Sequence, residues 1–213
     1  MRRTKALNIV IDVALILIGS VVLFAIMPKV GSSATRGSSP AGNDAASLRA
    51  FSVVTSVLTS PRCLNCHVAG DSPLQGDAGT IHNMNVKRGP DGRGTPAMHC
   101  ANCHQDENSI QLHAPPGRPD WRMPPASMRM GWQGLSVGEI CRSLKDPAKN
   151  GGRTTAQLIE HVRDDRIVNW GWDPGPGRSL PPVSHEEFVG QVTEWVQTGA
   201  VCPEESQVTG SRR

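Results

Sequence analysis

Two five-residue runs constrain this chain more than anything else in it: Cys63-Leu64-Asn65-Cys66-His67 and Cys100-Ala101-Asn102-Cys103-His104. A chain that repeats C-x-x-C-H has to fold around whatever those side chains hold. Cysteine pairs alone suit a zinc knuckle or a redox dithiol, and two pairs suit a four-thiolate zinc site. None of these gives the histidine after each second cysteine a task. C-x-x-C-H is instead the pattern for covalent attachment of haem c. Two thioethers must reach the two vinyl positions on one porphyrin edge. The next residue, histidine, then swings beneath the ring to ligate iron. The expectation is two covalently bound haem c groups, attached through Cys63, Cys66, Cys100 and Cys103, with His67 and His104 as proximal iron ligands.

The surrounding sequence fits a chain built around an internal scaffold. It has 22 glycines and 17 prolines among 213 residues, many in runs such as Pro115-Pro116-Gly117, which make turns rather than long helices. Five tryptophans, three phenylalanines and no tyrosine leave little to fill a core. Residues 61–135 show almost no periodicity, and a structureless run of that length needs something other than its own side chains to pack on. Helices are predicted on either side. Over 47–60, Leu48, Phe51, Val54 and Leu58 recur at helical spacing, and Pro61 closes the segment. Ser136, Thr154 and Ser184 each open a capped helix. Their inward residues are Ile140, Cys141 and Leu144, then Leu158, Ile159 and Val162, then Phe188, Val192, Trp195 and Val196. The predicted fold is mainly α and loop-rich, a small dihaem domain preceded by one N-terminal membrane segment.

The N-terminus sets the expected compartment. Arg2, Arg3 and Lys5 precede an apolar run, the positive-inside arrangement. Residues 1–5 read as a cytoplasmic stub and 6–27 as a transmembrane anchor or a signal segment. Both readings stay open, because Ser32-Ser33-Ala34 offers a cleavage site. Residues 28–46 read as a flexible linker, 47–205 as the haem-bearing domain and 206–213 as a flexible tail. The domain is then expected on the periplasmic side of a bacterial inner membrane, tied to the bilayer through the N-terminal segment. Two of the six cysteines, Cys141 and Cys202, fall outside the motifs and are expected to pair, because export permits disulfides. A formal charge of +3 makes no case for a nucleic-acid partner.

The chain at this point resembles a c-type cytochrome with two haems. The stretches GWQGLSVGEICRSLKDPAKNGGRT, WGWDPGPGR and WVQTGAVCP are similar to small exported proteins that carry the name isoquinoline 1-oxidoreductase subunit, over about residues 50–204. The resemblance implies an electron carrier that serves a membrane-associated or periplasmic oxidoreductase as its redox partner protein, without a catalytic residue of its own. The alternative is a peroxidase-like dihaem enzyme, which needs one open iron and a distal acid–base group. A carrier needs a second strong ligand on each iron.

For those second ligands the sequence points to His82 and His113, each a short way past a motif in the irregular stretch. His99 abuts Cys100 and can reach only the other haem. His161, between Glu160 and Asp164, reads as a solvated helix face, and His185 as an exposed residue beside a cap. Met84, Met98, Met123, Met128 and Met130 are the methionine rivals, since either His or Met can fill the position. Trp121, Trp132, Trp170, Trp172 and Trp195 are expected to wall the haems or the helix core.

Overall fold

The computed structural model describes residues 40–204. The expected stub, the 6–27 segment, the first part of the linker and the 206–213 tail lie outside the described residues. Where the linker was expected to continue to residue 46, helix α1 (Pro40–Leu58) has already begun. Proline in a first helical turn forfeits no hydrogen bond, and Ala41, Ala45 and Ala46 favour the helix that follows. Among the described residues, no helix is long and apolar enough to cross a membrane.

The buried face of α1 is Ser47, Ala50, Phe51, Val54, Val57 and Leu58, a 3.6-period stripe one position out of step with the predicted one at its start. Leu48 is 36% exposed. Ser47 takes the inward position because its hydroxyl has partners there. Its Oγ donates to Trp195 O at 3.2 Å and accepts from Val201 N at 2.9 Å. Pro61 does more than end α1, because it opens the one-turn helix α2 (Pro61–Leu64), which carries Cys63.

Between residues 65 and 135 the chain forms two small antiparallel hairpins and short turns. β1 (Leu74–Gln75) pairs with β2 (Thr80–Ile81), and β3 (Gly94–Thr95) pairs with β4 (Met98–His99). Along with a few apolar side chains, Val68, Met123 and Trp132, this half buries Arg88, whose guanidinium donates to Gly70 O at 3.0 Å and to Pro124 O at 2.5 Å. One side chain thus ties loops more than fifty residues apart in sequence.

The C-terminal third is helical: α3 (Val137–Lys145), α4 (Thr155–Asp164), α5 (Arg166–Trp170) and α6 (His185–Gln197). Ser136 and Thr154 form complete capping boxes with Glu139 and Gln157, and Ser184 accepts from Glu187 N. Replacing Ser136 by alanine leaves the Glu139 N–H without its acceptor and is expected to cost about 1 kcal/mol in chemical denaturation. An unchanged midpoint would show that the cap is not coupled to the global fold.

The core lies where α1 meets α6. Phe51 and Trp195 pack with ring centres 5.1 Å apart, and Ile140, Leu158, Phe188 and Val192 join them. The chain after α6 folds back over α3. Trp195 Nε1 donates to Val201 O at 3.1 Å and Lys145 Nζ to Ala200 O at 2.7 Å. Cys141 and Cys202 form the expected disulfide, their Cα atoms 5.5 Å apart. The chain is thus mostly helical and loop-rich, with six α-helices among the described residues.

Candidate functional site

The two motifs have the same local fold. In the first, the N–H groups of Cys66 and His67 both donate to Cys63 O, at 3.2 and 3.1 Å. In the second, Cys103 and His104 donate to Cys100 O, at 3.2 and 3.0 Å. Each motif therefore winds into one tight turn, which gathers two sulfurs and an imidazole.

The surroundings of the two histidines repeat as well. His67 Nδ1 donates to Met130 O and His104 Nδ1 to Pro116 O, both at 2.7 Å. A proton held on Nδ1 leaves Nε2 with its lone pair free, the form a metal ligand needs. An indole lies parallel to each ring: Trp132 on His67 at 3.7 Å and 5°, Trp121 on His104 at 4.5 Å and 6°. Close backbone packing makes the first arrangement possible. A Cβ on Gly131 would come within 2.7 Å of Val68 O, so glycine lets the 130–132 segment lie against the first motif.

The first motif opens on a partly open, mainly apolar cavity. Its walls are Val54, Leu58, Leu158, Phe188 and Val192 of the core, with Trp121, Trp170 and His161. Burial shapes the chemistry there. It pushes the Cys63 thiol up to about 12 and the Cys66 thiol up to about 11. Both are therefore neutral at physiological pH, unlike the low-pKa cysteines of redox dithiols. Burial also brings His67 down to about 4 and lowers His161. Both imidazoles are then neutral, as ligation requires. Arg62 lines the same cavity, and its Nε is buried without a hydrogen-bond partner among the described residues.

The second motif is open. Cys103 is exposed, and Ile81 and Met84, on either side of His82, are 69% and 68% exposed. His82 stands opposite His104 with ring centres 6.2 Å apart. Two imidazoles that share one metal at about 2 Å from each nitrogen stand roughly 6 Å apart between ring centres. His82 Nδ1 donates to Asn83 O at 2.9 Å, so its Nε2 is free too.

The other proposed second ligand is not brought to a motif. His113 is exposed, at φ 57°, with its N–H donating to Pro176 O and its ring over Gly177. The loop that carries it reaches His104 through Pro116 O, on the Nδ1 side of that ring. Among the rivals, His99 caps a turn by accepting from Ala101 N, and Met123 is buried with its N–H donating to Gly92 O. His185 donates from Nε2 to Val162 O, which occupies the nitrogen that a ligand would use.

A tetrathiolate zinc site would need the four motif cysteines together. Among the described residues, no group of three or more His, Cys, Asp or Glu side chains is gathered as a metal ion would require. A haem iron makes no such demand, because the porphyrin supplies four of its ligands. Comparison with protein-family models, curated proteins and solved structures finds no match to the chain.

Proposed function

We propose that this chain is an exported dihaem c-type cytochrome that carries electrons. The observation behind this reading is the repeated environment of the two motifs: the same turn, the same Nδ1 donation to a backbone carbonyl and the same parallel indole. A zinc knuckle or a dithiol has no use for that repetition. The apolar cavity, the unpaired Nε of Arg62 and the exposed Ile81 and Met84 are compatible with a large flat ligand that bears anionic edges.

Cys63 and Cys66 would hold one haem, and Cys100 and Cys103 the other. Bound haem would supply a reversible one-electron couple at its iron. His67 and His104 would present Nε2, and their carbonyl acceptors make each imidazole a stronger donor, which favours the oxidised state. Trp132 and Trp121 fix the planes of those rings. Trp121 also meets Trp170 edge-on at 4.7 Å, and both indoles line the first cavity. The side chain stacked on the ligand of one site is thus part of the wall of the other, an arrangement suited to relay. His82 would close the second iron, which favours a carrier over a peroxidase-like enzyme.

The test is made on full-length protein from a host that attaches haem c. Its intact mass should exceed that of the processed polypeptide by two haem masses, and its reduced spectrum should not change under carbon monoxide. A mass without haem, from cells that load a control cytochrome, would refute the reading.

A further inference from the structure

We propose that His161 is the second axial ligand at the first site, facing His67 across the cavity, and that Asp165 positions it. The inference rests on the dihaem reading above and names a residue that the motifs do not.

Three observations converge on His161. The first is placement. Leu158, His161 and Val162 form one face of α4 at i, i+3 and i+4, and all three line the cavity that holds Cys63, Cys66 and His67. Glu160 and Asp164, its acidic neighbours in sequence, are exposed on the other face. The side chain of His161 is 25% exposed. The second is orientation. His161 Nδ1 lies 3.5 Å from Asp165 Oδ2. The carboxylate is itself fixed, because Oδ1 accepts from Ile167 N at 2.8 Å and from Val168 N at 3.3 Å as the cap of α5. A carboxylate on Nδ1 keeps the proton there and presents Nε2, the arrangement found behind metal-bound histidines. The third is the position of the rival. Met130 also lines this cavity, but its carbonyl accepts from His67 Nδ1, which places its backbone on the proximal side.

The experiment uses the full-length haem-loaded protein. With two haems in place, His161→Ala should turn one of them high-spin. Carbon monoxide should then bind to about half of the total haem, while the other haem stays low-spin. His161→Met should restore a low-spin spectrum with one midpoint potential raised, since methionine favours the reduced state. Asp165→Asn should leave both haems low-spin and closed to carbon monoxide but shift one potential, which a purely structural cap would not do. If His161→Ala carries two haems, stays wholly low-spin and binds no carbon monoxide, the assignment is wrong, and Met130→Leu is the next variant. Should the alanine variant not fold, the wild-type near-infrared charge-transfer bands decide. Two bis-histidine haems support the assignment, and a methionine–sulfur signature that persists in the joint Cys100→Ala and Cys103→Ala variant, which would keep the first haem alone, overturns it. Wild-type protein without haem would instead sink the dihaem reading, and this assignment with it.

Discussion

Replacing Cys100 and Cys103 together by alanine should give a folded protein with one covalent haem, whereas replacing Cys63 and Cys66 should give almost no folded protein at all. The difference follows from where the two sites lie. The first cavity is walled by Val54, Leu58, Leu158, Phe188, Val192 and Trp195, which are also the hydrophobic core. On the dihaem reading, the first haem packs against that core, and losing it leaves the apolar cavity lined by α1, α4 and α6 unfilled. Removing even one large apolar side chain from a core costs about 2–5 kcal/mol, a large part of the stability of an ordinary domain, and a haem offers far more apolar contact than one side chain. The second site is open, with Cys103 exposed and His82 half-buried, so its haem covers surface rather than filling an interior. Haem content by mass and soluble yield measure both effects. Equal yields from the two double variants would show that the first site is not structural.

Breaking the Cys141–Cys202 bond is expected to cost about 4 kcal/mol, the chain-entropy value for a loop of 61 residues. That loop contains α4, α5 and α6, so the cross-link restrains most of the helical half in the unfolded state. The joint Cys141→Ala and Cys202→Ala variant should show the loss in guanidinium unfolding monitored by far-ultraviolet dichroism. Dithiothreitol should produce the same loss in the wild type and none in the variant. A variant as stable as the wild type would mean that the hydrogen bonds from Trp195 and Lys145 hold the C-terminal segment unaided.

What could be read from the sequence was local. The caps at Ser136, Thr154 and Ser184 announced themselves because a capping side chain bonds within three residues of itself. The disulfide could be read from arithmetic, once the motifs had claimed the other four cysteines. The misreadings are long-range. Leu48 looked inward by hydropathy, but Ser47 is inward because Trp195 and Val201, about 150 residues away, supply its hydrogen-bond partners. Helix α5 went unseen because its cap is Asp165, which also ends α4. Proximity along the chain favours His113 as a ligand, but the contacts that place His113 are with Pro176 and Gly177, more than sixty residues on. The place of His161 on the cavity wall did leave a trace. With Leu158 and Val162 it completes an inward stripe, and that periodicity outweighs its acidic neighbours. Arg88 left none, because a buried arginine held by loop carbonyls through its terminal nitrogens has no pattern to recognise.

The pairing of α1 with α6 has a kinetic consequence. Ser47 and Trp195 are 148 residues apart, so their contact closes nearly the whole described chain into one loop. Contacts of such separation form late, because the entropy of closure must be met before the packing that rewards it. Cys63 and Cys66 lie inside that loop, half-buried on a cavity lined by the helices that close it. On the dihaem reading, a haem to be bonded to those sulfurs would have to arrive while α1 and α6 are still apart. The order of events would then be ligation first and docking of the chain ends afterwards, which would make maturation a race between covalent attachment and a slow, non-local folding step.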